Sequence, residues 1–339
     1  MQTKPMTLAG LAAYLRQCRA ALPQEAVFVC GHDAPDTDAV VSSIAEAYRR
    51  HLTDSTPAVP FVPAKSLPAE IAYLLGDGLT ASLLCAGDIS TEITAKDARF
   101  ILTDHHDIRG RQVTAVVDHH LPSGDTDLRG IDTDIRPIGA ATTLVAQRCL
   151  QDGLVPDAAM ARVLLGAILM DTEGLSPAKT CAEDRVAAEY LAALWGGEPA
   201  ALFADLRGRL LAECDLPTLY RRDYRRFSDA LGFAVIKVWD TTLVNEGALR
   251  AMLAADREAS GIAATLAKIT RYGQDRLKSE TYLISAPPNL TQTLADAICR
   301  AAGKAATVSA PDQIDLPTEA AHLSRKRIVP ILLERMKNP

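Results

Sequence analysis

The chain has 339 residues, 48% hydrophobic and 23% charged, a balance that excludes an extended disordered protein and gives enough length for two domains. Acids exceed bases, 42 to 36, and the net charge of −6 argues against a general nucleic-acid coat. Apolar runs such as 163–170 are too short to span a bilayer, and seven scattered cysteines without a CxxC pair suit reduced thiols in the cytoplasm.

Leu8, Leu11, Leu15 and Leu22 recur at helical spacing, so the chain is predicted to open on a helix over 8–22. The run 26–30, Ala-Val-Phe-Val-Cys, reads as a buried strand. It ends at Gly31-His32-Asp33-Ala34-Pro35-Asp36-Thr37-Asp38. Helical spacing resumes over 39–52, which places those polar residues in a strand-to-helix loop. Two more short strands are predicted at 99–103 and 114–117, each running straight into Asp-His-His. Helices are expected over 139–150, 158–171 and 181–194. Strands alternating with helices imply an α/β fold, a parallel sheet with helices on its faces and ligands at the carboxyl ends of its strands. After the polar stretch 215–228, strands are predicted at 233–238, 263–269 and 280–285, with helices over 245–260 and 289–302. These form a second, smaller unit.

His32, Asp36 and Asp38 stand at i, i+4 and i+6 of one loop. One imidazole and two carboxylates converging there can hold a divalent ion of the manganese or magnesium type, although either acid can equally cap the helix that follows. Asp104 ends one strand, Asp118-His119-His120 ends another, and Asp171 closes an apolar run. Burying an unpaired carboxylate beside such runs costs several kcal/mol, and a shared cation removes that cost for all of them together. Five of the seven histidines, His32, His105, His106, His119 and His120, stand within two positions of an aspartate. The combination favours a metal centre over four unrelated turns.

Gly31-His32-x-x-Pro35-Asp36-Thr37-Asp38-Ala39, Thr103-Asp104-His105, Val117-Asp118-His119-His120 and Met170-Asp171-Thr172 resemble the ordered motifs of the DHH phosphoesterase superfamily. Ser324-Arg325-Lys326-Arg327-Ile328-Val329-Pro330 resembles the substrate-binding signature of its DHHA2 branch, which holds manganese-dependent (family II) inorganic pyrophosphatases, cytosolic exopolyphosphatases and prune-like phosphatases. The likeness runs from about residue 25 to 335. It implies a DHH domain over 1–215, a hinge over 216–230 and a DHHA2 domain over 231–339, with the active site in the cleft between them.

Carried over position by position, the resemblance makes His32, Asp36 and Asp104 ligands of one ion and Asp38, Asp104, His119 and Asp171 ligands of a second. Manganese is the implied metal, with magnesium or cobalt as alternatives. His120 matches the histidine that faces substrate, and Arg325 and Lys326 match the pair that grips phosphate oxygens. Arg225 stands where the hinge segment of the family carries a phosphate-binding lysine. Two ions lowering the pKa of a water, with placed cations on the phosphoryl oxygens, is the chemistry such a set supports.

Two departures are visible. Asp104 and Asp118 are only 14 positions apart, so the helix between their strands is expected to be trimmed or missing. His105-His106 makes a second Asp-His-His where the pyrophosphatases usually show Asp-His-Asn; the pair is read first as donors that orient a ligand, with substrate contact or a surface pair as alternatives. The small residues 139–143 fit a phosphate-binding helix start and close helix packing equally well. Arg221-Arg222 with Arg225-Arg226 reads as a solvated helix face, and His51 and His322 have no companion acids.

The leading expectation is a hydrolase of inorganic pyrophosphate. An exopolyphosphatase is the alternative, favoured by Val40 to Ala45 and Arg222-Asp223-Tyr224, and a non-catalytic metal- or nucleotide-binding regulator is the third reading. The partners implied are pyrophosphate or polyphosphate, with neither nucleic acid nor membrane, and the resemblance leaves room for a homodimer.

Overall fold

The computed structural model describes residues 3–22, 25–54, 56–88, 98–108, 110–120, 127–212, 215–227, 230–238, 244–272, 277–303, 306–317 and 323–337. The chain divides into two compact units, Met1–Ala212 and Glu213–Pro339.

The first unit begins β1 (Lys4–Met6), α1 (Leu8–Ala20), β2 (Val27–Cys30), α2 (Thr37–Thr53) and β3 (Ala58–Val62). Next come α3 (Ala69–Leu75), α4 (Asp77–Thr80), β4 (Leu84–Cys85), β5 (Arg99–Thr103), β6 (Gln112–Asp118) and β7 (Asp132–Ile135). It closes with α5 (Ala141–Gln151), β8 (Leu154–Pro156), α6 (Ala158–Asp171), α7 (Ala182–Trp195) and α8 (Pro199–Ala212). Six strands form a parallel sheet in the order β4-β3-β2-β5-β6-β7, while β1 pairs with β8 separately. Strands β2, β3 and β5 are almost continuously buried apolar runs, as a sheet covered on both faces requires. Val27, Val29, Ile101 and Ala115 pack against Ala47 of α2, and Phe28, Phe61 and Phe100 gather on the opposite face.

Strand order reverses between β2 and β5, so the connections leaving their carboxyl ends run to opposite sides, to β3 and to β6, and open a crevice there. Residue 31 turns the chain from β2 toward α2 at very close range. A Cβ there would lie 2.6 Å from Ala39 Cβ and 2.7 Å from its carbonyl oxygen, so only glycine fits. β5 and β6 are adjacent and parallel, Thr103 opposite Val117, yet the described residues of 104–111 contain no helical turn. That link is shorter than the dozen or more residues usual for a parallel crossover. It brings the residues after Asp104 back across the neighbouring strand.

The second unit holds α9 (Leu216–Arg222), β9 (Tyr224–Phe227), β10 (Leu231–Val238), α10 (Glu246–Ser260) and β11 (Ala264–Tyr272). It continues through β12 (Leu277–Ser285), α11 (Pro288–Ala302), β13 (Thr307–Ala310), β14 (Gln313–Pro317) and α12 (Arg325–Lys337). Its sheet runs β13-β14-β12-β11-β10-β9, with β10 and β11 parallel and the other pairs antiparallel. Phe233, Leu266, Tyr282 and Ile314 pack on one side with Leu294 and Ile298 of α11 and Ile328 and Leu332 of α12. The arginine run at 221–226 is not one helix face: Arg221 and Arg222 end α9, while Arg225 and Arg226 lie exposed on β9.

Candidate metal centre

The segments that follow β2, β5 and β6 and the carboxyl end of α6 bring the charged residues together. Asp36 caps α2, its Oδ1 accepting from the Ala39 N–H at 3.0 Å, while its Oδ2 lies 3.7 Å from His32 Nε2. The two sequence alternatives for Asp36, cap and cluster member, thus apply to different oxygens. Asp38 is buried within the first turn of α2 but caps another helix. It accepts from Ala141 N at 2.6 Å and Thr142 N at 2.9 Å, the start of α5. The free N–H groups of that helix therefore hold a protein carboxylate. Gly139 N donates to Asp184, so helix α5 begins at Ala141 rather than at 139.

Asp104 stands at the centre. It is 2% exposed, follows β5 directly and has φ of +61°, a left-handed conformation that costs a non-glycine residue about 1 kcal/mol. Its Oδ2 lies 3.4 Å from His32 Nε2 and its Oδ1 lies 3.1 Å from His119 Nε2. His119 donates from Nδ1 to the Ile138 carbonyl at 2.9 Å, which turns Nε2 toward Asp104 and toward Asp171 Oδ2 at 3.5 Å. Behind Asp171 the chain makes a left-handed turn through Glu173, Gly174 and Leu175, with φ of 54°, 70° and 61°.

Three groups of potential ligands result. His32, Asp36 and Asp104 form one; Asp38, His119 and Asp171 form another; Asp104, Asp118, His119 and His120 form a third, each with ligand atoms within 4.8 Å of one another. Asp118 belongs to the third by distance, but its oxygens are already taken. Oδ1 accepts from His119 N, His120 N and His120 Nδ1 at 2.7, 3.0 and 3.0 Å, and Oδ2 lies 2.5 Å from His106 Nδ1.

The charges are out of balance without a cation. Burial, with Asp104 and Asp171 nearby, pushes the Asp38 carboxyl well above its usual range. Burial raises Asp171 to about 6 against the pull of Lys179 and His119. For His119 and His32 burial works to lower the pKa, yet the neighbouring aspartates win and hold them at about 11 and about 10. The crowded carboxylates thus favour the protonated imidazoles beside them. Asp104 Oδ1 is buried with no hydrogen-bond donor in suitable geometry. An oxygen-rich set with imidazoles and an orphaned buried carboxylate oxygen fits hard divalent ions of the manganese or magnesium type.

His120 is exposed beside this cluster, and its ring meets His119 edge-on with centroids 4.3 Å apart. Burial pushes His105 down to about 4; its Nδ1 accepts from Asp107 N at 3.3 Å. Arg225 and Arg325 belong to the second unit, where Arg325 Nη1 lies 2.5 Å from Asp223 Oδ1 and Arg225 Nε lies 4.0 Å from the same oxygen. Lys326 follows in α12, its side chain outside the described residues, as is all of His322. The segment 325–327 is the first turn of a helix. His51 stacks on Tyr14 with centroids 4.1 Å apart.

Sequence reasoning did not isolate the Ile138 carbonyl, for which no side-chain signal exists, or the buried Asp184. The latter accepts from Gly139 N, Thr143 Oγ1 and Cys181 N and so locks α5 against α7. Its position three residues after Cys181 in a capping-box pattern was the available sign.

No protein-family profile matches the chain. Among curated proteins, it is 30% identical over 179 residues to a Streptococcus mutans protein named probable manganese-dependent inorganic pyrophosphatase, covering 50% of this chain and 56% of that one. It is 28% identical over 181 residues to the manganese-dependent inorganic pyrophosphatase of Methanothrix thermoacetophila, covering 51% and 56%. The chain thus spans about half the length of the curated relatives it matches. A crystal structure of a Methanococcus jannaschii protein assigned to the family II inorganic pyrophosphatases superposes with a TM-score of 0.64 at 19% identity, over 91% of this chain and 99% of that one. No helix among the described residues is long and apolar enough to cross a membrane. These curated relatives are named as manganese-dependent inorganic pyrophosphatases, and the two-unit α/β fold of this chain is shared with the Methanococcus jannaschii structure.

Proposed function

We propose that the protein hydrolyses the phosphoanhydride bond of inorganic pyrophosphate to give orthophosphate, using two divalent ions, with manganese the first choice. The observation that carries the reading is the convergence of His32, Asp36, Asp38, His119 and Asp171 on Asp104 in a site short of positive charge. The names of the homologues supply the substrate and the metal.

In this reading His32, Asp36 and Asp104 hold one ion, and Asp38, Asp104, His119 and Asp171 hold the other. The ions when bound supply charge to the phosphoryl oxygens and lower the pKa of water near neutrality. The protein's own share is to orient. The Ile138 carbonyl holds the proton on His119 Nδ1 and so leaves Nε2 as a lone-pair donor. The buried hydrogen bonds of Asp38 keep its carboxylate from swinging with substrate.

His120, Arg225, Arg325 and Lys326 are assigned to the substrate phosphates, with the first unit as the metal-binding part, 216–230 as a hinge and the remainder as the substrate-binding part. Arg325 and Lys326 begin α12, so two cations occupy a first turn whose dipole favours anions. An anionic ligand offsets that cost. The six described cysteines are free thiols, which fits the cytoplasmic setting proposed here.

Metal-stripped protein should be loaded with manganese, magnesium or cobalt and offered pyrophosphate, tripolyphosphate and long polyphosphate. Rapid phosphate release from pyrophosphate in manganese is the expected result. Preference for the longer chains would move the assignment to an exopolyphosphatase, and silence on every substrate with every ion would leave a regulatory binder in its place.

A further inference from the structure

We propose that His106 is a positioning residue that acts through Asp118 to fix the ring of His120. The proposal rests on the reading above in one respect, that His120 faces the substrate.

The geometry follows from the short link between β5 and β6. With no helical turn among its described residues, the chain after Asp104 stays beside the neighbouring strand. Thr103 lies opposite Val117, so Asp118 is the next residue on β6 and His106 arrives against it. His106 Nδ1 stands 2.5 Å from Asp118 Oδ2.

Asp118 is fully buried, and its other oxygen accepts from His120 Nδ1 at 3.0 Å. The backbone N–H groups of His119 and His120 donate to that same oxygen at 2.7 and 3.0 Å. One buried carboxylate therefore joins two imidazoles by opposite oxygens. A hydrogen bond to an ionised acceptor is short and strongly directional, so each ring limits how the carboxylate can rotate.

The consequence for His120 is one of orientation. With Nδ1 tied to Asp118, the opposite ring edge carries Nε2 away from the carboxylate, and the His120 side chain is 46% exposed. Removing the donor at 106 strands Oδ2 in a buried place. The carboxylate can then recover a partner only by turning, which releases His120 Nδ1 from its present alignment. Asn at 106 places its amide nitrogen where imidazole Nδ1 stands, whereas Gln carries its amide one atom further out and Leu carries none.

The test uses the full chain with manganese at fixed pH, comparing wild type with His106→Leu, His106→Gln and His106→Asn. Three readouts are taken: kcat and KM on pyrophosphate, bound manganese, and the His120 tautomer from nitrogen–proton correlations in 15N-histidine protein loaded with diamagnetic magnesium in place of manganese.

His106→Leu and His106→Gln are expected to lower kcat about tenfold or more, since placement of a reacting group carries factors of this order. Manganese content should stay at the wild-type value, and His120 should lose its Nδ1–H signature. His106→Asn is expected to restore both the signature and most of the rate. If Leu does not fold, the comparison of Gln with Asn decides alone. A Leu or Gln variant with wild-type kcat and an unchanged His120 signature overturns the proposal, as does a loss that Asn fails to rescue. If wild type releases no phosphate, the pyrophosphatase reading fails by itself, and the tautomer comparison still decides whether His106 fixes His120.

Discussion

Arg325 is held by Asp223: its Nη1 lies 2.5 Å from the Asp223 carboxylate and donates to the Asp223 carbonyl at 2.9 Å. The cation proposed for phosphate therefore rests against an anion of its own unit, with Arg225 at 4.0 Å on the same carboxylate oxygen. Phosphate must compete with that carboxylate. Asp223→Asn keeps the carbonyl contact and removes the competing charge. It is expected to lower the KM for pyrophosphate by about two- to fivefold, the range of a partly exposed ion pair, with kcat nearly unchanged. Steady-state kinetics on the manganese-loaded protein checks this, and a raised KM would show that Asp223 serves Arg325 instead of competing for it.

Asp104 should matter far more to function than to metal-free stability. It combines a left-handed backbone with a buried carboxylate among Asp38, Asp171 and Asp36. Asp104→Asn is expected to abolish phosphate release, since in the proposed assignment both ions would rely on its carboxylate. The metal-free variant should unfold within about 1 kcal/mol of metal-free wild type, because the carboxylate repels Asp38 and Asp171 but also pairs with His32 at 3.4 Å and His119 at 3.1 Å. Paired denaturation curves in chelator measure the difference.

In the second unit, Lys268 and Glu280 form a buried pair at 2.7 Å, 3% and 2% exposed, and Lys268 also donates to the Leu323 carbonyl at 2.9 Å. Lys268→Met leaves Glu280 charged in the core and should cost about 3–5 kcal/mol. The double change Lys268→Met with Glu280→Leu should recover most of that loss. Chemical denaturation of both variants tests the non-additivity, and equal losses in the single and double variants would refute it.

Glu46 sets a pH limit on the first unit. Burial acts to raise its pKa, but Arg49 at 2.7 Å, Arg148 at 3.6 Å and Arg50 at 2.8 Å prevail and hold it below the ordinary glutamate value. A folded pKa below the unfolded one makes the stabilisation fully present above about pH 4.3, the usual unfolded value, and lost as pH falls through the folded value. Glu46→Gln should therefore be less stable than wild type near neutrality, and the gap should shrink below about pH 4. Unfolding free energies of the two proteins from about pH 3 to 7 give the comparison.

Much of the fold was legible because burial and period speak directly in the residues. The runs at β2 and β5, the helix α6 over 158–171 and the strands β10 to β12 lie where apolar patterning predicted them. Short or edge elements were not: β4 has two residues, β7 carries two aspartates in four residues, and α9 has only seven residues. Their identity depends on the neighbours they pair with, not on their own composition.

The candidate site divides in the same way. Sequence by itself determined which residue types stand at the ends of the buried runs, because such a run must stop where charge begins, and the resemblance of its motifs singled out His32, Asp36, Asp38, Asp104, His119 and Asp171 as a set. Only the tertiary structure decided what each oxygen and nitrogen does. Asp38 turns its carboxylate to a helix more than a hundred residues away, His119 is oriented by the Ile138 carbonyl, and Asp118 is shared between His106 and His120. Those partners come from chain crossings in three dimensions, and hydrogen bonds act over about 3 Å regardless of separation along the chain.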